Sequence, residues 1–270
     1  MLLSTLALAR RVERAEIDFC ALAAGAGQPG GVASLEVAGG RALCSFAGSP
    51  LNKVLGLGLG ERASDADLAA IEQFYAAHRS AIAIELCPLA QGDLPVRLSG
   101  RGYTVQAFES QLACDVASID RTILATSDPT RHVARAADDE TWLEAVSEGF
   151  AAAEDADRPP TGQAIATMTA MMRAFLHPAI TRYVAFVDGV PAGGGAAYEV
   201  DGVVGIFGTS TRLAFRRRGI QRAIVRHAVA DAAAATLAIA TTAPGSGSQR
   251  TFERLGFQLL YTRTIFARGG

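Results

Sequence analysis

One order of elements occurs twice in this chain, and that recurrence limits its fold more than any single motif. From Lys53 the apolar patterning predicts strand, helix, strand, short helix, then Gly102-Tyr103 and another strand. From Val203 it predicts strand, helix, strand, short helix, then Gly256-Phe257 and another strand. The pattern reads as one supersecondary unit used twice, joined near Ser118 to Thr130. With 270 residues, 50% of them hydrophobic and 19% charged, the chain can fill two ordinary cores. We therefore expect one domain over 1–120 and a second over 130–270, both of the α/β class.

In the first half an amphipathic helix is expected within MLLSTLALARRVERAE, followed by a loop from Gly25 to Gly31. Val32 to Glu36 and Arg41 to Phe46 flank Ala38-Gly39-Gly40 and read as a hairpin. Lys53 to Leu59 reads as a strand whose glycines form no nucleotide loop, because the helix they should open arrives only later. Ser64, with Asp67 three residues on, predicts a capped helix start. Ala81 to Leu86 is an expected strand, Leu94 to Arg101 a short helix, and Thr104 to Leu112 the last strand.

The second half is expected to open with a strand at His132 to Ala137 and a helix from Asp138 to Phe150. A polar loop, Glu154 to Gly162, leads to a helix carrying Ile165, Met168, Met172 and Phe175. Strands at Thr181 to Val187, Gly193 to Val200 and Val203 to Thr211 are separated by Asp188-Gly189 and Asp201-Gly202 turns. The last of these strands runs into Arg216-Arg217-Arg218, and Gly219 opens a helix in which Ile220, Ala223, Ile224 and His227 recur at helical spacing. No Ser, Thr, Asp or Asn stands just before Gly219, so the first N–H groups of that helix have no capping side chain. Free N–H groups, the positive end of the dipole and flanking guanidinium groups suit a phosphate or diphosphate. An arginine-rich surface turn is the alternative. The matching helix in the first half carries Ser64, Asp65 and Asp67, which occupy the N–H groups and repel phosphate, so only the second half is expected to bind an anion. Leu237 to Thr242, Ser248 to Leu255 and Phe257 to Ala267 complete the chain as strand, helix and strand.

Arg216-Arg217-Arg218-Gly219-Ile220-Gln221 resembles the acetyl-CoA signature of the GCN5-related N-acetyltransferases, in which Arg or Gln, two intervening residues, Gly and one further residue lead to Gly or Ala. Gln221 departs from that last step. Ser248 to Phe257, SQRTFERLGF, resembles the family's last helix and its Gly-Phe step. The resemblance covers the chain from about Arg131 onward. It implies two GNAT-like units, each a mixed, mostly antiparallel sheet flanked by helices, the first a degenerate copy that is structural or shapes an acceptor pocket. It implies acetyl-CoA as co-substrate, held by the backbone of Thr209, Ser210 and Thr211 and by Arg216, Arg217, Arg218, Gly219, Ile220, Gln221 and Arg222. The acceptor would be the amine of a small molecule or amino acid, attacking directly in a ternary complex. A non-catalytic acyl-CoA-binding or interaction module is the competing reading.

A Tyr is usual in this family where Phe252 stands, so the proton for the departing thiolate needs another source. Ser248, Tyr261 and solvent are the candidates, with Ser248 also readable as a helix cap or cofactor contact. Glu148, Glu199, Asp201, His177 and His227 are candidate bases, each also readable as a surface or core residue. Glu154, Asp155 and Asp157 could attract a cationic amine or form a solvated loop, and the Met168, Met171, Met172, Phe175 stripe reads as core or pocket wall.

A net charge of −2 gives no general attraction to nucleic acid or an acidic membrane. Positive charge crowds between Arg212 and Arg226 without interleaved aromatics, which fits a small anion better than a nucleic acid. Cys20, Cys44, Cys87 and Cys114 have no metal-site spacing and read as buried thiols, so no metal is expected. The first residues have charges after a short apolar run, unlike a signal peptide, and no stretch reaches the ~20 apolar residues of a membrane span. A cytoplasmic location is expected, where acetyl-CoA also is.

Overall fold

A computed structural model describes residues 2–26, 31–119, 131–153 and 158–269. The expected linker beyond Ile119, part of the Gly25 to Gly31 loop, and Glu154, Asp155 and Asp157 lie outside the described residues. The chain forms two compact units. One comprises Met1–Leu112, Thr241–Ser246 and Gln258–Gly270; the other comprises Ala113–Ala240 and Gly247–Phe257. These units do not follow the expected 1–120 and 130–270 halves, because the segments at 241–246 and 258–270 group with the first unit.

The first unit starts with α1 (Leu6–Gly25), whose Thr5 hydroxyl accepts from the Leu8 N–H. The hairpin β1 (Ala33–Val37) and β2 (Gly40–Cys44) pairs antiparallel, and β2 pairs antiparallel with β3 (Lys53–Leu55). β3 stops four residues short of the expected end, since Gly56 and Gly58 turn the backbone to φ 70° and 79°. Next, α2 (Asp65–Ala77) has the expected capping box: the Asp67 N–H donates to Ser64 Oγ and the Ser64 N–H to Asp67 Oδ2. Leu68, Ile71 and Tyr75 form its buried face. β4 (Ile82–Leu86) returns parallel to β3, α3 spans Leu94–Gly100, and β5 spans Thr104–Asp115.

Between β4 and β5 lies a strand from the other end of the sequence, β11 (Gln258–Arg268), antiparallel to β4. It brings Arg263 into the interior of this unit, fully buried, where it pairs with Glu13 and Glu16 of α1 at 2.8 and 2.7 Å and with Glu85 at 3.3 Å. Lys53 binds the other oxygen of Glu85 at 2.5 Å, and Tyr261 donates to Glu13 at 2.9 Å. Burial raises the Glu13 carboxyl above its ordinary range; at Glu16 burial pushes the same way, but the charge and hydrogen bonds of Arg263, with Lys53 and Thr241, together lower it.

In the second unit β6 (Arg131–Arg135), β7 (Thr181–Val187), β8 (Val190–Val200) and β9 (Val203–Thr211) form an antiparallel meander. β10 (Leu237–Thr242) adds parallel to β9. Asp188-Gly189 and Asp201-Gly202 make the expected hairpin turns, all four residues at positive φ. Between β6 and β7 come α4 (Asp139–Ala151) and α5 (Gly162–Met172); α6 (Ile220–Asp231) joins β9 to β10, and α7 (Gly247–Arg254) follows. β3-α2-β4 in one unit and β9-α6-β10 in the other repeat the expected strand, helix, strand order, and in each the two strands pair parallel. No described helix is long and apolar enough to cross a membrane. The four cysteines are free and buried.

Candidate functional site

The site is built where β9 hands over to α6. Along most of β9 each residue faces one partner on β8, but the register shifts between Gly194 and Ala196, so that Gly208 and Thr209 bulge opposite Gly195. Gly208 adopts φ 56° there. The carbonyl of Gly195 is satisfied by the indole N–H of the fully buried Trp142 at 2.9 Å, which fixes α4 against the bulge. Beyond β9 the chain makes a short turn at Leu213–Phe215 and enters the arginines.

Arg217 and Gly219 both take left-handed backbone, φ 62° and 76°. That conformation is ordinary for glycine and uncommon for arginine. Gly219 is the N-cap of α6 with no side-chain cap. The first intrahelical bond runs from the Ala223 N–H to the Gly219 carbonyl, and among the described residues the N–H groups of Gly219, Ile220, Gln221 and Arg222 meet no protein acceptor. A cleft of ≈ 640 Å³ opens over them, walled by β9 (Thr209, Ser210, Thr211), the end of α4 (Gly149, Phe150), and α7 (Ser248, Thr251, Arg254). Arg217 and Arg222 line it, both exposed and with no carboxylate partner among the described residues. The atoms nearest to a Cβ added at Gly219 would be those of the Arg222 guanidinium, from 3.4 Å. Free N–H groups, the helix dipole and two unpaired guanidinium groups converge on one concavity, a fit for a diphosphate.

The structure separates the expected residues. Thr209, Ser210, Thr211, Arg216, Arg217, Gly219, Ile220, Gln221, Arg222 and Ser248 all line the cleft. Arg218 does not: its guanidinium stacks on the Phe215 ring, while its carbonyl accepts from Arg131. Arg216 lines the cleft but commits its guanidinium to the end of α4, donating to the carbonyls of Gly149, Ala152 and Ala153 at 3.2, 2.8 and 2.5 Å. Ser210 donates to the Val146 carbonyl at 2.9 Å and is buried. The Gln221 amide turns aside, with Nε2 3.0 Å from Thr209 Oγ1 and 2.7 Å from Ser248 Oγ.

None of the candidate bases lines the cleft. Glu148 is paired to Arg212 at 2.7 Å, His177 accepts from the Ala179 N–H, and His227 packs edge-on against Tyr183. Glu199 is exposed on β8, and Asp201 sits in a hairpin turn. Phe252 is buried against Phe257, and Tyr261 lies in the first unit on Glu13. α5 buries no residue fully; its apolar face is half covered, and Phe175 beyond it would lie 3.4 Å from a Cβ at Gly208. Sequence reasoning missed Gly149, Phe150, Thr251 and Arg254. The three-residue steps Ser248, Thr251, Arg254 along one helical stripe were the available signal for the last two. Among the described residues no cluster of three or more His, Cys, Asp or Glu could hold a metal ion.

The family model "Acetyltransferase (GNAT) family" matches residues 133–257. No curated protein matches the chain. Among solved structures, a GCN5-related N-acetyltransferase from Kribbella flavida superposes with a TM-score of 0.71 at 20% identity, over 97% of this chain and 96% of that one. A tandem GNAT protein from the clavulanic acid biosynthesis pathway superposes with a TM-score of 0.60 at 14% identity, over 100% and 97% of the two chains. A GCN5-related N-acetyltransferase from Sphaerobacter thermophilus gives a TM-score of 0.51 at 16% identity, over 80% and 71%. Those identities speak for the fold, and the family model speaks for the sequence that builds the cleft: residues 133–257 match the GNAT acetyltransferase family, in a chain that takes the tandem GNAT fold throughout.

Proposed function

We propose that the second unit, Ala113–Ala240 with Gly247–Phe257, binds acetyl-CoA in this cleft and transfers the acetyl group to the amine of a small molecule or amino acid by direct attack in a ternary complex. The observation that carries the reading is the unoccupied set of N–H groups from Gly219 to Arg222 beneath Arg217 and Arg222. In the first unit the equivalent start of α2 is filled by Ser64 and faced by Asp65 and Asp67. Residues 1–120 are accordingly proposed as a degenerate copy that does not hold the nucleotide. Acetyl-CoA would supply an activated thioester and a thiolate leaving group. The α6 amides and guanidinium groups would hold its diphosphate, the backbone of Thr209 to Thr211 would line its arm, and Ser248 would donate a hydrogen bond near the reacting end while solvent protonates the departing thiolate. The location proposed for this reaction is the cytoplasm.

Gly219→Asp tests the anchorage. An aspartate is among the residues that enter left-handed backbone, at a cost of roughly 1–2 kcal/mol, so the fold is expected to survive while its carboxylate repels the phosphate. Calorimetry should show no acetyl-CoA binding by a variant that still unfolds cooperatively at a lowered melting temperature; native affinity in that variant would remove the basis of the reading. A second reading, a non-catalytic acyl-CoA-binding module, is favoured by Phe252 and by the absence of a carboxylate or imidazole among the described cleft residues. Thiol release from acetyl-CoA across a panel of amines separates the two.

A further inference from the structure

Gln221 sits on the first turn of α6, and its amide nitrogen reaches a strand on one side and a helix on the other. Nε2 donates to Thr209 Oγ1 on β9 at 3.0 Å and to Ser248 Oγ on α7 at 2.7 Å. An amide nitrogen has two N–H donors and no acceptor, so both of its protons are used and both hydroxyl oxygens must accept. Each hydroxyl therefore keeps its own proton for a third group. Among the described residues neither hydroxyl has another polar partner, and both line the cleft. Left to themselves, Ser and Thr hydroxyls turn that proton to a nearby backbone carbonyl, as Thr251 does with Gly247 and Ser210 with Val146.

We propose that Gln221 is a positioning residue whose amide makes the Thr209 and Ser248 hydroxyls hydrogen-bond donors into the cleft, where the carbonyl oxygens and sulfur of an acyl-pantetheine arm are the acceptors. The proposal rests on the acyl-CoA reading above and adds to it why a side chain with reach occupies the step after Ile220. Neither hydroxyl gives up its proton. During transfer the amine nitrogen bonds to the acetyl carbon and the carbon–sulfur bond breaks with its electron pair on sulfur. The surplus proton of the amine goes to water, and sulfur takes one from water. The two hydroxyls only hold, by hydrogen bonds, the atoms on which charge builds.

The test is a double-mutant cycle on the full chain with two ligands, acetyl-CoA and ADP, the second carrying a diphosphate but no arm. Gln221→Met, which fills similar space without donors, should weaken acetyl-CoA binding about tenfold and leave ADP binding within about twofold. The combined Thr209→Val, Ser248→Ala variant should show a similar pattern. Adding Gln221→Met to it should cost nothing further, because the amide would have no hydroxyl left to orient. Retained ADP binding also reports that each variant is folded. Equal losses for the two ligands, independent losses that multiply, or no loss at all would overturn the proposal. A native protein that binds acetyl-CoA while the cycle is additive defeats this inference alone; a native protein that binds neither ligand defeats the acyl-CoA reading and this one with it.

Discussion

Two adjacent arginines in the same tripeptide do opposite work. Arg216 has extended backbone at φ −60°, ψ 156°, which points its guanidinium back at the last carbonyls of α4. The Gly149 and Ala152 carbonyls are among those a helix end leaves unpaired, and the cation also opposes the negative end of the dipole. Arg217 takes left-handed backbone and stays exposed on the cleft. Arg216→Ala should therefore destabilise the protein by roughly 1–3 kcal/mol, the cost of stranding several acceptors, whereas Arg217→Ala should leave stability within about 1 kcal/mol. Acetyl-CoA affinity should respond in the reverse order, falling more for Arg217→Ala. Urea midpoints and calorimetry on the two variants check both halves, and an equal loss of stability in each would refute the division. The sequence made Arg216, Arg217 and Arg218 equivalent, since three identical side chains in a turn carry no record of which way each backbone step turns.

Elements were more legible than residues. The capping box of α2, the Asp-Gly hairpin turns and the β9 to α6 handover were readable because each depends on residues close in sequence. Boundaries failed where backbone sign decides, as at Gly56, where β3 ends early. The approach of α4 to β9 was not readable, because it depends on a glycine meeting a residue far along the chain. A Cβ at Gly149 would stand 2.5 Å from Ser210 Oγ, 2.8 Å from Ser210 Cβ and 3.0 Å from the Thr211 nitrogen. Gly149→Ala should push α4 off the strand at a cost of about 1–3 kcal/mol and loosen the cleft wall that Gly149 and Phe150 provide. Denaturant unfolding measures the cost. Ser210→Gly in the same chain should restore part of it by removing two of the three contacts, and unaltered stability in Gly149→Ala alone would show that the helix has room to spare.

The recurrence of strand, helix and strand correctly announced two GNAT-like units, yet it could not announce which strands each unit owns. Local patterning marks Phe257 to Ala267 as a strand and says nothing of its neighbours, so the reading that cut the chain into 1–120 and 130–270 assigned β11 to the later domain. In the structure β11 lies between β4 and β5 of the first unit. Arg263 on that strand is the counter-charge for Glu13, Glu16 and Glu85, all buried in the interior. Losing one partner of a buried ion pair costs roughly 3–5 kcal/mol, against about 5–15 kcal/mol for the whole stability of a domain. A fragment of residues 1–120 loses that partner together with a central strand, and it also exposes the facing edges of β4 and β5. It should therefore show no cooperative thermal transition and should aggregate. The same fragment carrying residues 258–270 on a flexible linker long enough to return the strand antiparallel to β4 should unfold cooperatively, and Arg263→Ala in that fusion should abolish the gain. A sharp transition in the bare fragment would mean that the first unit closes without β11, and that the carboxylates around Arg263 find another way to be neutral.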